Sequence, residues 1–228
     1  MMAFGSDELT ALRLSLRVAI VATLCALPLA IGLAHLLARR EFPGKWLLNG
    51  LVHLPLVMPP VVTGYLLLLA FGRQGWIGSA LAEFGIVFSF RWTGAALASA
   101  VMGFPLLVRA IRLGIENVDT RLEQAAATLG ASATRTFFTV TMPLAAPSVI
   151  AGAVLCFAKS LGEFGATITF VSNIPGETQT LAAAIYAFTQ VPGGEGAALR
   201  LTLLAIGISM CALVASEWLA HRSSGRRR

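Results

Sequence analysis

The sequence predicts an all-α polytopic membrane protein, and three observations support that fold class. Of its 228 residues, 57% are hydrophobic and only 12% are charged, and the mean hydropathy is +0.79. Soluble domains carry about 25% charged residues, and disordered chains are poor in apolar residues, so both classes are excluded. The apolar residues also gather in five uncharged runs. A hydrocarbon core needs roughly 20 helical residues to cross it, which is close to the length of these runs.

The five runs predict five spans within a single domain that covers residues 1–228. The spans are expected at about residues 12–38, 46–72, 92–112, 143–163 and 197–220, and residues 113–142 form the longest loop, called the elbow here. The third and fifth runs are short, and Arg109 and Arg200 can extend them by reaching toward the headgroups. The second run contains Pro59 and Pro60, which predict a kink because proline removes backbone hydrogen bonds.

The distribution of basic residues predicts the orientation of the spans. With the N-terminus outside, most of the 17 Lys and Arg residues fall in inner segments, namely residues 39–45, residues 109–135 and the tail up to Arg228. Inner loops of membrane proteins carry such an excess of basic residues. We therefore expect an outer N-terminus, a cytoplasmic C-terminus, and residues 162–196 on the outer side.

Two segments on the predicted outer side are apolar but too short to be spans. Residues 180–191 are helical in composition and lie between the turn dipeptides Pro175-Gly176 and Pro192-Gly193, so they predict a partly immersed helix. Residues 73–91 carry Trp76 and several phenylalanines among glycines, which is typical of an interfacial aromatic segment.

Sites for catalysis, nucleotides and metals are not recognisable in this sequence. The Gly44-Lys45 pair runs directly into Trp46, so there is no phosphate-binding loop, and no serine lies in a nucleophile elbow. The histidines lack ligand spacing, and the three cysteines lie in apolar runs as small hydrophobic residues. We expect a non-catalytic chain that binds no metal or cofactor of its own. The basic residues are scattered, which argues against nucleic acid as a partner.

The elbow has the features of two short helices joined by a glycine turn. Thr120 and Glu123 have the spacing of a capping box, which predicts a helix start at Thr120. Good helix formers follow, and Gly130 suits the left-handed residue that ends a helix. Ser132 can cap the second short helix, and Pro143 fits the first turn of the next span.

The first elbow helix is rich in alanine, with Ala125, Ala126 and Ala127 in succession. Such small side chains let another surface approach closely, which favours a docking element. A solvated connector between two spans is the alternative that these residues leave open.

The spacing of the elbow residues resembles the EAA loop of the permease subunits of ATP-binding-cassette (ABC) importers. The matching pattern is Glu123-Gln124-Ala125-Ala126, then Gly130, nine residues, Val140 and Met142-Pro143. Gln124, Val140 and Met142 depart mildly from the usual Ala, Ile and Leu. The resemblance implies a type I ABC importer transmembrane domain with five membrane-spanning helices and a cytoplasmic coupling helix. Its ATPase-coupling residues would be Glu123, Ala125, Ala126, Gly130 and Pro143.

A second stretch, from Ser160 to Thr180, is similar to the corresponding part of molybdate permeases. Sulfate permeases share the Gly162-Glu163-Phe164-Gly165 core and generally diverge after it. With Phe42-Pro43-Gly44-Lys45, the likeness covers essentially the whole chain. The resemblance implies a permease subunit of an ATP-driven molybdate importer. The alternatives are a sulfate/thiosulfate or tungstate ABC permease, a proton-coupled secondary anion transporter, and an accessory membrane scaffold.

The substrate path is expected to use neutral hydroxyl groups. Molybdate is a dianion, and a transport path must hold it weakly enough to let it go. The candidates in mid-chain for hydroxyl groups that line the path are Thr63, Ser160, Thr167 and Thr169. Glu163 would repel this anion. Because it follows Lys159 by four residues, it can form an ion pair on one helical face, and we expect a structural or gate-holding role rather than a proton relay.

The resemblance also implies the assembly. Two permease copies would enclose the path, two cytoplasmic ABC ATPase subunits would use ATP, and an external (periplasmic) molybdate-binding protein would deliver the anion. Membrane lipid is the remaining partner, because the implied location is the bacterial cytoplasmic (inner) membrane.

Overall fold

The computed structural model describes residues 5–225, and within them every regular element is helical. A π-helical turn, Phe137–Thr141, joins the seventh helix to the eighth. The helices are α1 Ser6–Arg39, α2 Lys45–Val57, α3 Pro60–Phe71, α4 Trp76–Glu83, α5 Trp92–Glu116, α6 Thr120–Thr128, α7 Ala133–Thr136, α8 Met142–Leu161, α9 Gly165–Val171, α10 Leu181–Thr189 and α11 Glu195–Gly225.

Within residues 5–225, four helices are each long and apolar enough to cross a membrane. They are α1, α5, the continuous run Ala133–Leu161 through α7 and α8, and the first part of α11, Glu195–Ala215. The spans predicted at residues 12–38, 92–112, 143–163 and 197–220 fall on these helices. The predicted inner tail Arg226–Arg228 lies outside the described residues.

The second predicted span, residues 46–72, is not one helix. It is the pair α2 and α3, which meet at an angle of 113°. A residue before a proline is driven out of the helical region. Because two prolines follow each other, both Met58 and Pro59 precede a proline. Their ψ angles of 147° and 132° are extended values, and the helix is broken there. Five spans result only if this bent pair counts as one.

The core lies where α1 packs against α5 and α8. The face of α1 that meets these helices is lined with small residues, and four of them are at most 1% exposed: Ala19, Ala22, Ala30 and Ala34. On α5, a Cβ added to Gly103 would lie only 2.6 Å from the Sγ of Cys156 on α8. Small residues let helix backbones approach closely where hydrocarbon offers no hydrophobic drive for association.

Helix α9 belongs to the bundle, although residues 162–196 were predicted as a segment beyond the fourth span. Ala166, Phe170 and Val171 are fully buried against the bundle, and α9 packs on α3 and α5. A Cβ on Gly64 of α3 would stand 2.5 Å from the carbonyl oxygen of Ala166. Sequence reading missed this packing because a seven-residue helix is too short to show a membrane-span pattern.

The two other short segments are helical and lie against longer helices. Helix α10 falls within the predicted residues 180–191 and packs on α11 and α1, and its first amide, Leu181 N–H, donates to the Oγ of Ser15. Helix α4 occupies part of residues 73–91, and its first residue, Trp76, is 78% exposed. Trp76, Phe84 and Phe90 therefore remain available to a membrane interface, whereas Phe88 packs edge-on against Phe71 of α3.

We expect Gly64→Ala to destabilise the protein by about 1–3 kcal/mol, because overpacking forces α9 away from α3. The matched control is Gly50→Ala on α2, where a Cβ meets nothing within 4 Å. That change should stabilise the helix by about 0.5–1 kcal/mol. Denaturant unfolding in detergent micelles measures both, and equal stabilities of the two variants would contradict the close α3–α9 contact.

Candidate functional site

The first residues of the predicted elbow, 113–116, belong to the end of α5, and the rest of residues 113–142 contain α6 and α7 and lead into α8. Helix α6 begins at Thr120 as predicted, but its N-cap is Asp119, whose Oδ1 accepts the N–H of Arg121 at 2.9 Å. The predicted capping box between Thr120 and Glu123 is therefore wrong. Because the Asp119 carboxylate caps the helix, the side chain of Glu123 is free to bind elsewhere.

Glu123 ties three parts of the chain together through one carboxylate oxygen. Its Oε1 accepts Arg39 Nη2 from the end of α1 at 3.0 Å and Thr141 Oγ1 from the π-helical turn at 2.7 Å. Arg39 Nη2 also donates to the Val118 carbonyl at 3.0 Å. The Arg39 and Glu123 side chains are only 16% and 20% exposed, so water screens this ion pair less than a surface pair.

Three further elbow residues lie as predicted, but the second elbow helix is not a separate element, because helix continues from Ala133 through the π-helical turn to Leu161. Gly130 has φ +84°, the left-handed conformation that ends a helix at low cost only for glycine. The Ser132 Oγ accepts the Arg135 N–H at 3.3 Å, and Pro143 lies in the first turn of α8. The π-helical turn lies where the elbow joins α8, a kind of irregularity that is frequent at functional positions.

One face of α6 has no partner within the described residues. The helix buries none of its own residues, and Leu122 and Leu129 are 49% and 89% exposed. Ala125 lies between them at helical spacing and is exposed, and Ala126 is half-buried. An apolar, small-residue surface of this kind is suited to docking against another protein.

The opposite face of α6 borders a cavity of about 460 Å³ between the elbow and the end of α1. Arg39 and Arg40 line it together with Glu123, so its walls carry net positive charge. The residues His35, Arg39 and Thr136 line the same cavity, and their atoms Nδ1, Nε and Oγ1 are buried without a hydrogen-bond partner among the described residues. The elbow therefore rests on a polar space rather than on a packed core.

The predicted path residues are only partly brought together: Thr63 lies on α3 and Thr167 and Thr169 on α9, which packs against α3, whereas Ser160 near the end of α8 contacts α5. Thr63 on α3 is 4% exposed, and its hydroxyl has no partner among the described residues. The three other hydroxyls donate to backbone carbonyls: Ser160 to Ser99 at 3.4 Å, Thr167 to Phe164 at 2.9 Å and Thr169 to Gly165 at 2.9 Å. Thr63 is thus the one predicted path residue whose hydroxyl hydrogen has no acceptor in the described part of the chain.

Glu163 is buried at the corner between α8 and α9. Its Oε2 accepts Lys159 Nζ at 2.7 Å, and its Oε1 accepts the Ala166 N–H at 3.0 Å. The ion pair predicted from the spacing is present. Sequence reading missed the second contact, in which the carboxylate satisfies a free amide in the first turn of α9.

Three residues of the elbow site were not found from the sequence. Asp119 directly precedes the first residue of α6 and is a strong N-cap type, so a local pattern could have found it. Arg39 and Thr141 are 84 and 18 positions from Glu123, and no local pattern connects them. No cluster of three or more metal-ligating side chains occurs among residues 5–225.

Comparison with known proteins gives consistent matches over the whole chain. The family described as "Binding-protein-dependent transport system inner membrane component" matches residues 11–225. The molybdenum transport system permease protein ModB of Haemophilus influenzae is 61% identical over 216 residues, 94% of each chain. The protein of that name from Escherichia coli K12 is 58% identical over 226 residues, 99% of each chain.

Solved structures share the fold at low sequence identity. A bacterial alginate ABC transporter, in complex with an alginate-bound periplasmic protein, superposes with a TM-score of 0.75 at 15% identity, covering 96% of this chain and 80% of that one. An amino acid ABC transporter gives a TM-score of 0.64 at 18% identity, covering 95% and 94%.

We expect the Arg39–Glu123 pair to show a coupling energy of about 1 kcal/mol in a double-mutant cycle with Arg39→Gln and Glu123→Gln. The control cycle uses Lys45→Gln and Glu41→Gln, an ion pair whose Glu41 side chain is 89% exposed. That cycle should give no more than about 0.5 kcal/mol. Denaturant unfolding in detergent supplies both values, and equal coupling energies would remove the special role of Glu123.

Proposed function

Because the chain belongs to the family of binding-protein-dependent transport system inner membrane components, we propose that it is the membrane-spanning permease subunit of an ATP-driven molybdate importer. The observation that carries this proposal is 58% identity with a molybdenum transport permease over 99% of both chains. The fold is that of a type I ABC importer transmembrane domain, as expected, and the protein is a multi-pass inner-membrane protein.

The chain acts as a transport subunit and leaves ATP hydrolysis to its partners. We propose a homodimer of permeases, two cytoplasmic ABC ATPase subunits and an external molybdate-binding protein. A periplasmic binding protein is part of the alginate transporter structure that shares this fold. The chain itself binds no cofactor in this proposal, and ATP is used by the ATPase subunits.

The exposed face of α6 is the proposed docking surface for the ATPase. Leu122, Ala125 and Leu129 would enter a groove on that subunit, and Ala126 would lie at the edge of the contact. Glu123 would then carry the movement of α6 to α1 through Arg39 and to the start of α8 through Thr141. Gly130 lets α6 end sharply, so the helix can move as a unit.

The junction of α3, α8 and α9 is the proposed path and gate. The Thr63 hydroxyl could donate to an oxyanion that passes between two permease copies. We place Ser160, Thr167 and Thr169 on the same path, where their hydroxyls would become donors to the anion after a change of rotamer, because their present acceptors are backbone carbonyls. Glu163 holds α9 through Lys159 and the Ala166 amide, which suits a gate-holding role. Both oxygens of its carboxylate are occupied, which argues against a proton relay.

The test is uptake of labelled molybdate into proteoliposomes that hold the permease, the ATPase and the external binding protein. We expect uptake only with ATP on the ATPase side, and a hundredfold excess of sulfate should compete weakly. ATP-independent uptake driven by a pH gradient would overturn the importer proposal in favour of secondary transport. If unlabelled sulfate competed as strongly as unlabelled molybdate at the same concentration, sulfate would replace molybdate as the proposed substrate.

We expect Glu123→Gln to reduce binding-protein-stimulated ATP hydrolysis and uptake severalfold, because the neutral amide weakens the link to Arg39. Copurification of the ATPase should persist, since the docking face of α6 is unchanged. Glu41→Gln is the matched control, because Glu41 pairs with Lys45 at the exposed start of α2. Wild-type uptake in Glu123→Gln would make the elbow a connector without a coupling role.

The proposed orientation has its own test in a variant without Cys25, Cys156 and Cys211. A cysteine replacing exposed Glu177 should react with an impermeant thiol reagent added outside, and one replacing exposed Thr128 on α6 should not. The opposite labelling pattern would reverse the orientation.

A further inference from the structure

The cavity between the elbow and the end of α1, called the elbow cavity here, is bordered by three buried polar atoms that the chain leaves unpaired. They are His35 Nδ1 and Arg39 Nε on α1 and Thr136 Oγ1 on α7, and none has a hydrogen-bond partner among the described residues. An unpaired buried donor costs more than an ordinary hydrogen bond gains, and the cost is higher for a charged group. Three such atoms on one cavity indicate that it binds a group that accepts hydrogen bonds.

The three atoms belong to residues that lie close together. His35 and Arg39 are one helical turn apart, so they share a face of α1. The His35 ring packs edge-on against the ring of Phe137, with 4.7 Å between the centroids, and Phe137 directly follows Thr136. Helices α1 and α7 therefore contribute their unpaired atoms to the same part of the elbow cavity.

The hydroxyl of Thr136 behaves differently from most hydroxyls of helical threonines in this chain. The common arrangement is a bond from the hydroxyl to the carbonyl four residues earlier, and it occurs at Thr10, Thr139, Thr169 and Thr202. Thr136 makes no such bond, although it is only 7% exposed. Its hydroxyl is therefore buried and available to a ligand in the elbow cavity.

The charges on the cavity walls favour an anion over a neutral ligand. Arg39 and Arg40 line the cavity with one carboxylate, that of Glu123. The ion pair with Glu123 uses Arg39 Nη2 and leaves Arg39 Nε unpaired. Arg40 is exposed and belongs to none of the ion pairs within residues 5–225. One positive charge on the walls therefore remains uncompensated.

The unpaired atoms also indicate the shape of the anion. Arginine Nε can only donate a hydrogen bond, and a histidine nitrogen or a threonine hydroxyl can donate one as well. Donors on two different helices need acceptor oxygens that point in different directions. A tetrahedral oxyanion has four such oxygens, whereas a carboxylate has two in one plane. Hydrogen bonds from arginine to oxyanions are also among the strong ones, because both partners are charged.

We propose that the elbow cavity binds one tetrahedral oxyanion through Arg39 Nε, His35 Nδ1 and Thr136 Oγ1, and that Arg40 adds to the attraction. The bound anion would connect α1 to α7 beside the contacts of Glu123. None of these residues belongs to the α3–α8–α9 junction, so the site is separate from the proposed substrate path. The same chemistry is offered by free molybdate and by the phosphate of a membrane lipid.

The experiment is equilibrium dialysis of labelled molybdate against the detergent-solubilised permease–ATPase complex, without ATP or binding protein. We expect saturable binding. Thr136→Val keeps the shape and removes the hydroxyl, so it should weaken binding about tenfold, and Arg40→Gln should weaken it severalfold. The matched controls are Thr139→Val and Arg135→Gln, which change exposed residues that do not line the cavity and should bind as wild type.

Native mass spectrometry of the same complex distinguishes the two sources of the oxyanion. A phospholipid that copurifies with wild type and is lost in Thr136→Val would identify a lipid phosphate as the ligand. The absence of both such a lipid and saturable molybdate binding overturns the proposal, and so does wild-type binding in both Thr136→Val and Arg40→Gln. Loss of binding in Thr63→Val but not in Thr136→Val also overturns it, because the anion would then occupy the proposed path.

Molybdate is chosen as the probe because of the proposed function, and the cytoplasmic placement of the site rests on the proposed orientation. The binding measurement requires neither transport nor ATP. A complex that binds the anion at the elbow but fails to import it would therefore contradict the proposed function alone. A complex that imports molybdate but does not bind an oxyanion at the elbow would contradict only this site.

Discussion

Within a hydrocarbon core, every backbone N–H and C=O group must find its partner inside the protein, and this requirement organises the whole chain. It accounts for the long uncharged helices, and it also explains how the structure treats the two places where a helix breaks. After Pro59, α3 starts with a proline, which has no N–H to satisfy. Between α8 and α9 the chain turns inside the bundle, where Glu163 accepts a free amide of α9. A buried carboxylate would be costly alone, and Lys159 compensates its charge.

Small residues determine how closely these helices approach one another. The alanines of α1, Gly103 on α5 and Gly64 on α3 all lie where a larger side chain would strike a neighbouring helix. In lipid, contacts of this kind supply much of the packing energy. They also place α9 against α3 and so bring Thr63, Thr167 and Glu163 into one junction. The region proposed as the gate is therefore a product of close packing between short helical pieces.

At the other end of the bundle, the elbow is fastened by polar contacts rather than by a core. Glu123 joins α6 to α1 and to the π-helical turn that leads into α8, over a cavity lined by arginines. A few directional bonds over a polar cavity can rearrange more easily than a packed apolar interface. This arrangement suits an element that transmits movement between a docking face and the membrane helices. The exposed leucines of α6 face away from the rest of the chain and remain free for a partner.

The sequence by itself determined the helical membrane class and the approximate places of the long apolar helices, because these depend on local composition and spacing. It did not determine the boundaries of the elbow, because α5 continues to Glu116 and the helix that enters the next span already begins at Ala133. Gly130, Ser132 and the Lys159–Glu163 pair could be read from local spacing, since each involves residues at most four positions apart. Only the tertiary structure decided that residues 46–72 form two helices at 113° and that α9 enters the bundle. It alone also paired Glu123 with Arg39, 84 positions away. Contacts of that kind depend on how whole helices pack, and neighbouring residues in the sequence carry no record of them.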